Sequence, residues 1–339
     1  MGTVSAIDVE DVVWQRIDEQ ATVGEVRRTV ARLAGSIGIS EARVAEISVA
    51  VSELATNSVV HATGAVAVVR CRRNDEGPVV ELIVIDSGPG IDDVSNAMRD
   101  GVSTAGTLGI GLGAIDRIAN RFEMFSLLGR GSVTVAAFGP STSDAFLMPI
   151  LDGLTRPISG ESVCGDAWAA HHDDHQISLI VADGLGHGVL AEAASRAVRD
   201  EFQSDPSRSP SAILQAAHHK AASTRGAAVM AVRVDPAAGI LRCAGVGNIA
   251  GRVVRATSVS GMMSQPGIVG QHLRNVREIE LPVQRGDLVV VHSDGLTSKW
   301  DLASHRGLAA QSPDVIAAVL LREAGLRQDD ASVVVLRVP

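Results

Sequence analysis

The first 140 residues alternate between apolar spacing typical of helices and apolar spacing typical of strands. Residues 24–37 and 40–62 carry apolar side chains at three- and four-residue steps, which predicts two helices, and Ser40 is placed to cap the second. The second helix has a continuous apolar stripe made of Val44, Ile47, Val51 and Leu54. Alternating and continuous apolar runs predict four strands and one short helix: strands at 66–71, 79–85, 122–128 and 132–138, and a helix near 112–120.

The remainder of the chain is richer in strands. Apolar runs predict strands at 177–183, 227–235, 239–246, 287–294 and 331–338, and helices at 190–202 and 211–222. This pattern is typical of an α+β sandwich. A Gly-, Ser- and Pro-rich seam at 139–149 predicts two domains, 1–139 and 150–339, joined by a linker at 140–149.

Composition and charge narrow the classes of function. The 339 residues are 46% hydrophobic and 2% aromatic, long enough for two domains with aliphatic cores. A net charge of −9 and the lack of any long Lys/Arg cluster argue against a nucleic-acid partner. The short apolar runs predict no membrane span, and the N-terminus lacks a signal-peptide pattern. Three scattered cysteines form neither a disulfide framework nor a metal motif, so we expect the reducing cytoplasm.

Polar residues on the second predicted helix form a first candidate site. Glu53, Asn57 and His61 stand four residues apart and share one face. An amide oxygen there can hold Mg²⁺, and a carboxylate one turn away can orient or deprotonate a nucleophile. Spacing alone equally fits a solvated polar face.

Two glycine-rich segments extend this candidate site. The strand at 79–85 runs directly into Asp86, followed by Ser-Gly-Pro-Gly, which places an acceptor for an adenine amino group beside flexible backbone. Residues 106–113, GTLGIGLG, precede the short helix, where exposed backbone amides favour phosphate. Each segment alone is also typical of ordinary turns.

In this order and at these spacings, ELATN, DSGPGI and GTLGIGLG resemble the N, G1 and G2 boxes of the GHKL ATPase superfamily. Within it, residues 20–138 resemble the serine-kinase branch of bacterial switch kinases and anti-sigma factors, the RsbT type. The resemblance implies a Bergerat-type α/β sandwich binding ATP, with Asp86 on adenine, Asn57 on Mg²⁺ and Glu53 as base. It assigns the walls of the nucleotide site to Gly88, Gly90, Gly106, Gly109, Gly111 and Gly113.

A second candidate site consists of carboxylates at predicted strand ends. Asp183 and Asp294 each end an apolar run and precede Gly, Asp166 follows Cys-Gly, and Asp329-Asp330 precede the last strand. One Asp-Gly usually marks a turn, but several strand ends that converge form an all-oxygen site for two hard cations. Two such ions can activate a water and clamp a phosphoryl group. The adjacent pairs His171-His172 and His218-His219 are interpreted as exposed polar residues.

The segments GESVCGDAW, VADGLGHG, AGVGN, VVHSDGL and QDDASVVVL resemble the PPM (type 2C) serine/threonine phosphatases, closest to the SpoIIE/RsbX-like branch. The resemblance covers residues 150–338 and implies an α-β-β-α sandwich with two Mn²⁺ or Mg²⁺ ions. It implies that Asp183 bridges the ions, that Gly184 adds its carbonyl, and that Asp294 and Asp329 complete one shell. Asp166 lies nearby, directly or through water, and Asp330 is the alternative to Asp329.

Two further residues have open roles. The eukaryotic family has His directly after Asp-Gly, whereas here Leu185 stands there and His187 follows two residues later, so His187 is either a leaving-group acid or a structural residue. Asn248 in AGVGN positions substrate or closes a turn, and we favour the turn.

Together the two halves predict a bifunctional bacterial signalling switch. A kinase-like half and a metal-dependent phosphoserine/phosphothreonine phosphatase would act in opposite directions on an anti-sigma-factor antagonist or stressosome-type partner. One alternative is an ATP-gated module that sequesters a partner such as a sigma factor, fused to an active phosphatase. Another is that ATP binding only regulates the phosphatase.

Overall fold

A computed structural model describes residues 5–74, 77–98, 111–141 and 149–339. The chain separates into two compact units, one formed by Asp8–Met148 and the other by Met1–Ile7 with Pro149–Pro339. Most of the predicted linker lies outside the described residues, and the predicted domain limits stay a prediction. Each unit is described by itself below.

The first unit is an antiparallel sheet with helices packed on it. Its strands run in the order β1-β2-β3-β5-β4. Its elements are β1 (Ser5–Ile17), α1 (Gln20–Ser36), α2 (Glu41–His61), β2 (Ala65–Asn74), β3 (Gly77–Ile85), α3 (Val94–Ala97), α4 (Leu112–Ile118), β4 (Arg121–Leu127) and β5 (Gly131–Phe138).

The apolar stripe of α2 explains how this unit holds together. Ile47 and Val51 are fully buried and belong to one core with Leu82 of β3 and Phe138 of β5. Burying an aliphatic side chain of this size stabilises a fold by about 1.5–3 kcal/mol. The Ser40 hydroxyl accepts a hydrogen bond from the Arg43 amide at 3.3 Å, so α2 begins where the capping residue predicts. The opposite face of α2 is left with its polar residues.

The second unit contains two antiparallel sheets. One has the order β13-β10-β9-β8-β7 and the other β12-β11-β14-β15-β6. Its elements are β6 (Leu151–Arg156), β7 (Asp166–His172), β8 (Ile177–Gly184), α5 (Val189–Ser204), α6 (Pro210–Lys220), β9 (Ala227–Asp235), β10 (Ile240–Val246), β11 (Ala250–Val254), β12 (Val259–Met262), β13 (Ile279–Pro282), β14 (Leu288–His292), α7 (Pro313–Ala324) and β15 (Ala331–Arg337), with short 3₁₀ turns at Leu302–Ser304 and Leu308–Ala310.

Helices cover both outer faces of these sheets. α5 and α6 pack on β7, β8, β9 and β10, whereas α7 packs on β6 and β15. Contacts of β7 with β6 and β15 join the two sheets. The expected α-β-β-α sandwich is confirmed, and the chain as a whole is the α+β fold that the sequence predicts.

The structure also contains elements that the apolar pattern missed. The pattern did not predict the strands β1, β6, β7, β11, β12 and β13 or the helices α3 and α7, and α7 is a third long helix in the second half of the chain where two were expected. α7 escaped notice because nearly every residue is buried, from Val315 to Leu321, so its sequence has no polar face to reveal a helical period. None of the helices in the described part of the chain has the length and apolar character needed to cross a membrane.

The histidine pairs differ from expectation. His171 and His172 lie half-buried in β7. His218 is also half-buried, and its Nδ1 accepts a hydrogen bond from the Gly270 amide at 2.9 Å. Only His219 is exposed as predicted. An amphipathic ring can pack its body against a sheet while its nitrogen satisfies a backbone group, and adjacency in sequence does not show this.

Candidate functional site

A cavity of about 390 Å³ opens beside the polar face of α2. Glu53, Asn57 and His61 all line it, as their shared helical face predicts. Asp86, at the end of β3, lines the same cavity. Residues far apart in sequence therefore meet around one concave space, whose volume is within the range of small-ligand sites.

Asp86 is held rigidly at the cavity wall. Its side chain is buried, its amide donates to the Ser132 carbonyl at 3.0 Å, and its Oδ1 accepts the Gly88 amide at 2.7 Å. A Cβ on Gly131 would lie 2.1 Å from the Asp86 carbonyl oxygen, so only glycine lets the β4–β5 turn pack there. A fixed carboxylate in a partly apolar cavity is suited to accept a ligand's N–H groups.

Two of the predicted glycines line the cavity. Gly90 has φ +72°, and a Cβ there would lie 2.2 Å from the Leu127 carbonyl oxygen. Gly111 has φ +74° and directly precedes α4. Both positions use conformations that other residues adopt at a cost, which lets the backbone form the wall.

The other four glycines have different outcomes. Gly88 does not line the cavity, but its amide holds Asp86, and a Cβ would crowd that carboxylate at 2.9 Å. Gly113 is buried inside α4 and is not part of the lining. Gly106 and Gly109 lie outside the described residues.

Among the lining residues that sequence reasoning did not assign to the site are three from the β4–β5 hairpin. Met124 of β4 and Ser132 and Thr134 of β5 line it. Ser132 and Thr134 share a strand face with Phe138, a core residue, so polar side chains interrupt an otherwise core-facing row. That interruption is the signal that could have located them.

The second candidate site lies in the second unit, where β7 and β8 pair. Asp166 stands directly opposite Asp183 in the antiparallel register. Side chains so placed have Cβ atoms about 4.5–5.5 Å apart, and like charges there destabilise a sheet unless something neutralises them. The strand pairing thus brings together two of the predicted acidic residues.

Asp166 is almost completely buried, and neither carboxylate oxygen has a hydrogen-bond partner among the described residues. Burial raises its pKa to about 7, and the charges of Asp330 and Asp294 add to the effect. The nearby hydroxyls of Ser293 and Ser332 favour the ionised form but are not placed to donate a hydrogen bond to it. Buried carboxylate oxygens without donors are typical of a site that binds a cation.

Asp183 has a strongly raised pKa. Its pKa is raised to about 9, first by burial and then by the charges of Asp166 and Asp294. It also shares a hydrogen bond with Asp294, and the charge of Asp329 acts in the same direction. The four predicted aspartates therefore interact electrostatically with one another, as convergence at one site requires.

Asp329 and Asp330 have different tasks. Asp330 is buried, and its two oxygens accept the amides of Ile158 at 2.7 Å and Gly165 at 3.0 Å. The pKa of Asp329 is raised by burial and by Asp294, while the backbone amide of Asp330 and nearby His187 oppose the rise. Asp330 holds a loop, whereas Asp329 accepts only the Asp330 amide, through Oδ1, among the hydrogen bonds of the described residues.

Backbone packing fixes the segment that follows Asp183. The Gly184 amide donates to the Gly165 carbonyl at 3.1 Å, and a Cβ on Gly184 would lie 2.0 Å from the Ala191 carbonyl oxygen. Only glycine fits under the first turn of α5. Glycine follows Asp183 because of this close packing against α5, and not because the chain makes an exposed turn here.

Asn248 belongs to the acidic site. Its Nδ2 donates a hydrogen bond to Asp294 Oδ2, a contact that neither of the two roles considered for Asn248 predicts. The AGVGN segment contains the last three residues of β10, and the Asn248 side chain, just after that strand, reaches across to the loop after β14. An amide donor orients the Asp294 carboxylate without adding charge.

A further acidic residue lies beside the site. Glu161, in the segment GESVCGDAW, has its Oε1 3.0 Å from His187 Nδ1. His187 sits between Gly186 (φ +91°) and Gly188 (φ +71°), in the loop leading into α5. This loop begins immediately after Asp183 and Gly184.

The acidic site offers oxygen atoms as ligands for a divalent cation. Among the described residues, no three His, Cys, Asp or Glu side chains already surround one ion position. The carboxylates instead influence one another through their charges. Neither Asp166 oxygen has a hydrogen-bond partner among the described residues, and the pKa values of Asp166 and Asp183 are both raised. An all-carboxylate, oxygen-rich set of this kind fits hard cations such as Mg²⁺ or Mn²⁺ rather than zinc.

Comparison with known proteins gives separate matches for the two halves of the chain. The family profile described as "Histidine kinase-like ATPase domain" matches residues 18–136, and that described as "Stage II sporulation protein E (SpoIIE)" matches residues 173–339. The serine/threonine-protein kinase RsbT of Bacillus subtilis is 33% identical over 119 residues, which is 34% of this chain and 88% of RsbT.

The phosphatase half has its own relative. The phosphoserine phosphatase RsbX of Bacillus subtilis is 26% identical over 173 residues, 50% of this chain and 85% of RsbX. A solved structure from work on the bacterial stressosome, a modular system adapted to control secondary messenger signalling, is 31% identical with a TM-score of 0.52. It covers 55% of this chain and 98% of its own.

Proposed function

The chain belongs to the histidine kinase-like ATPase family over residues 18–136 and to the SpoIIE family of PP2C-type phosphatases over residues 173–339, and we propose that it is a bifunctional signalling switch. Its second half removes phosphate from phosphoserine or phosphothreonine in a protein. Its first half binds ATP and phosphorylates a serine or threonine, in the manner of the kinase RsbT that it resembles.

The meeting of Asp166 and Asp183 across β7 and β8 is the observation that carries the phosphatase proposal. With Asp294 and Asp329 they would hold two divalent ions, and Gly184 would add its carbonyl oxygen. Such ions supply a water of lowered pKa and neutralise charge on a phosphoryl group. Asn248 keeps Asp294 oriented, and Asp330 keeps the neighbouring loop in place.

The test measures hydrolysis of a phosphoserine peptide and of 4-nitrophenyl phosphate by the full chain, with Mn²⁺, with Mg²⁺ and with EDTA. We expect hydrolysis only with metal and a loss of at least about 10³-fold in Asp183→Asn, since that variant removes the central carboxylate. Asp174→Asn, an exposed aspartate in the β7–β8 turn, is the matched control and should retain activity. Metal-independent hydrolysis, or none with either ion, would contradict the proposal.

The ATP-binding proposal rests on the cavity shared by Glu53, Asn57 and Asp86. Asp86 would accept the adenine amino group, and the Asn57 amide oxygen would hold Mg²⁺ at the phosphates. Glu53, one helical turn from Asn57, would orient the accepting hydroxyl or take its proton. The glycines at 88, 90, 106, 109, 111 and 113 would shape the backbone around the nucleotide.

Glu53→Gln separates a kinase from a nucleotide-gated binding module. We expect this variant to bind ATP normally but to lose transfer of the γ-phosphate to an antagonist protein by roughly 10²–10⁴-fold, the range for a lost general base. Glu46→Gln, on the same helix but outside the cavity lining, is the control. Normal ATP binding with no transfer even by the unmodified chain would favour the binding module.

We propose that the substrate is an anti-sigma-factor antagonist or stressosome-type scaffold protein. Support comes from the similarity of each half to RsbT and RsbX and from the stressosome-related structure. A candidate antagonist should gain label from ATP and lose it on addition of Mn²⁺ in the presence of the same chain. A sigma factor that binds the chain only with ATP would instead indicate sequestration.

A further inference from the structure

The loop that follows Asp183 and Gly184 carries an exposed apolar surface. Nine large apolar side chains are exposed in the described part of the chain, and three of them lie within six consecutive residues of this loop and the start of α5. They are Leu185 (36% exposed), Val189 (68%) and Leu190 (57%), here called the apolar rim. Scattered exposed apolar residues are ordinary, but a group of them beside a proposed active site is typical of a surface that binds a partner.

Backbone contacts hold this loop against the start of β9. Gly184 pairs with Ala227 in the antiparallel register of β8 and β9. One residue beyond this pair, the Leu185 amide donates to the Gly226 carbonyl at 3.0 Å. Gly226 has φ +80°, and a Cβ there would lie 2.6 Å from Ile268 Cγ2, so its backbone is closely packed. The segment just before β9 is therefore fixed beside the loop.

Arg225 directly precedes Gly226, and its guanidinium lies next to the loop. A Cβ on Gly186 would lie 2.9 Å from Arg225 Nη1, so the cation occupies the space beside that glycine. The side chain is exposed, and its guanidinium forms no hydrogen bond or ion pair with the other described residues. A guanidinium in this state is available to an anionic group of another molecule.

The loop separates Arg225 from an acidic side chain on its other side. A Cβ on Gly188 would lie 3.4 Å from both Glu161 oxygens, and Glu161 already contacts His187. The surface next to Gly186 thus combines an unpaired positive charge with apolar side chains, whereas the acidic site itself is a group of carboxylates. A polypeptide segment with an acidic and an apolar side chain is complementary to this surface, and a basic segment is repelled by it.

We infer that Arg225 and the apolar rim bind the substrate polypeptide beside its phosphoserine, an inference that rests on the proposed phosphatase function. Arg225 pairs with an aspartate or glutamate of the bound segment, and the apolar rim contacts one of its apolar side chains. None of these residues is among those assigned to the ions. They determine which phosphoprotein is bound and leave the hydrolysis itself to the acidic site.

Peptides that differ only beside the phosphoserine test the role of Arg225. The full chain with Mn²⁺ is assayed on a peptide with aspartate on both sides of the phosphoserine and on the same peptide with lysine there. We expect the unmodified chain to favour the aspartate peptide by roughly tenfold in kcat/KM, mainly through KM, because attraction in one peptide and repulsion in the other add. Arg225→Glu should reverse this preference, a result that a general loss of structure does not produce.

Two controls accompany Arg225→Glu. Its hydrolysis of 4-nitrophenyl phosphate should stay within about threefold of the unmodified chain, because that substrate has no polypeptide to bind. Arg285→Glu changes another exposed arginine, which precedes β14 and so lies at the end of that strand far from Asp294. It should keep the preference for the aspartate peptide.

Val189→Ser tests the apolar rim. On an aspartate peptide that also carries leucines two residues from the phosphoserine, we expect KM to rise roughly fivefold, because an apolar contact is lost. With alanines in place of the leucines, KM should change by less than about twofold. Val259→Ser is the matched control, because this exposed valine of β12 pairs with Val254, which stands opposite Leu288 at the other end of β14 from Asp294.

The outcomes separate the inference from the proposed function. Equal kcat/KM of the unmodified chain for the aspartate and lysine peptides, or an unchanged preference in Arg225→Glu, would overturn the inference and leave the phosphatase intact. An equal loss of Arg225→Glu on the peptides and on 4-nitrophenyl phosphate would also overturn it, since Arg225 would then act on the phosphoryl group. Equal KM changes for the leucine and alanine peptides in Val189→Ser would overturn its apolar part. If the unmodified chain hydrolyses none of these substrates with Mn²⁺ or Mg²⁺, the proposed function fails and the inference with it.

Discussion

Asp166 and Asp183 face each other across two neighbouring strands; burial raises the pKa of both, and the charge of Asp166 raises that of Asp183 further. A carboxyl whose pKa is higher in the folded state binds its proton more tightly there than in the unfolded chain. Its contribution to the free energy of unfolding is fully present at a pH below its unfolded-state pKa, near 4. That contribution is lost as the pH rises through its folded-state pKa. For this pair the loss extends from about pH 4 to about pH 9.

Metal-free protein should therefore lose stability relative to Asp183→Asn as the pH rises from 5 to 9. The variant removes one of the two opposed charges, and other titrating groups cancel in the comparison. A difference on the order of a few kcal/mol corresponds to a shift in Tm of about 5 °C or more. Thermal unfolding at several pH values measures it, and saturating Mn²⁺ should remove the slope in the unmodified chain. Parallel curves for the two proteins would contradict the prediction.

Asp86 makes a separate prediction at the nucleotide cavity. Asp86→Asn should weaken ATP binding by roughly 10- to 100-fold, because a hydrogen bond to a charged acceptor contributes about 1.5–3 kcal/mol. Titration calorimetry measures the Kd, and metal-dependent phosphatase activity serves as an internal check on folding. Asp116→Asn, an exposed aspartate on α4 outside the lining, is the control. Unchanged affinity would remove Asp86 from the adenine site.

Individual residues differ in how well the sequence predicts them. The acidic residues and Asn57 were predictable because each chemical type stands at a strand end or on one helical face. Glu161 and Asn248 were not, because their roles depend on which loops meet in space. Asp329 and Asp330 are indistinguishable in sequence, and only the hydrogen bonds to Ile158 and Gly165 separate them.

At the scale of elements, the β4–β5 hairpin links the nucleotide cavity to its scaffold. Its turn contains Gly129 (φ +72°) and Gly131 (φ +77°), which share a backbone conformation but not an environment. A Cβ on Gly129 meets nothing within 4 Å, whereas one on Gly131 would lie 2.1 Å from the Asp86 carbonyl oxygen. The pair separates the cost of the conformation from the cost of the contact.

Gly129→Ala should cost about 1–2 kcal/mol, the penalty for a left-handed alanine. Gly131→Ala should cost more than 3 kcal/mol, because the hairpin must also move away from Asp86, and it should weaken ATP binding as well. Urea unfolding and calorimetry measure the two effects. Equal losses in the free energy of unfolding for the two variants would show that the hairpin moves away from Asp86 at no measurable cost.

The apolar period predicted most helices and strands, but not the buried α7, the short α3 or the strands β1, β6, β7, β11, β12 and β13. Strand β7 begins with Asp166 and ends with two histidines, so polar residues at both ends conceal a buried centre. Its presence depends on pairing with β8, a tertiary fact that a local pattern does not contain.

For the whole molecule, the two units provide separable responses to ligands. ATP with Mg²⁺ should stabilise one unfolding transition and Mn²⁺ another, each by about 2.7 kcal/mol of unfolding free energy at a ligand concentration 100 times its Kd, and each should raise the corresponding Tm. Scanning calorimetry of the full chain measures both. Asp86→Asn should abolish only the ATP response and Asp183→Asn only the Mn²⁺ response. A single transition that shifts identically with either ligand would argue against separate sites.

Fold class and family were predictable at this scale because three ordered motifs in one half and five in the other leave few alternatives. The identity of the protein substrate was not, because docking depends on surface shape that no short motif carries.

The hydrogen bonds from the Ile158 and Gly165 amides to Asp330 have a consequence for protein engineering. Anyone transplanting this acidic centre into a foreign scaffold must move residues 158–166 together with the 329–330 dipeptide as one cassette. Grafting the aspartates alone would leave residues 158–166 without the hydrogen bonds from Ile158 and Gly165 to Asp330. Glu161, which contacts His187, would then no longer be held in place.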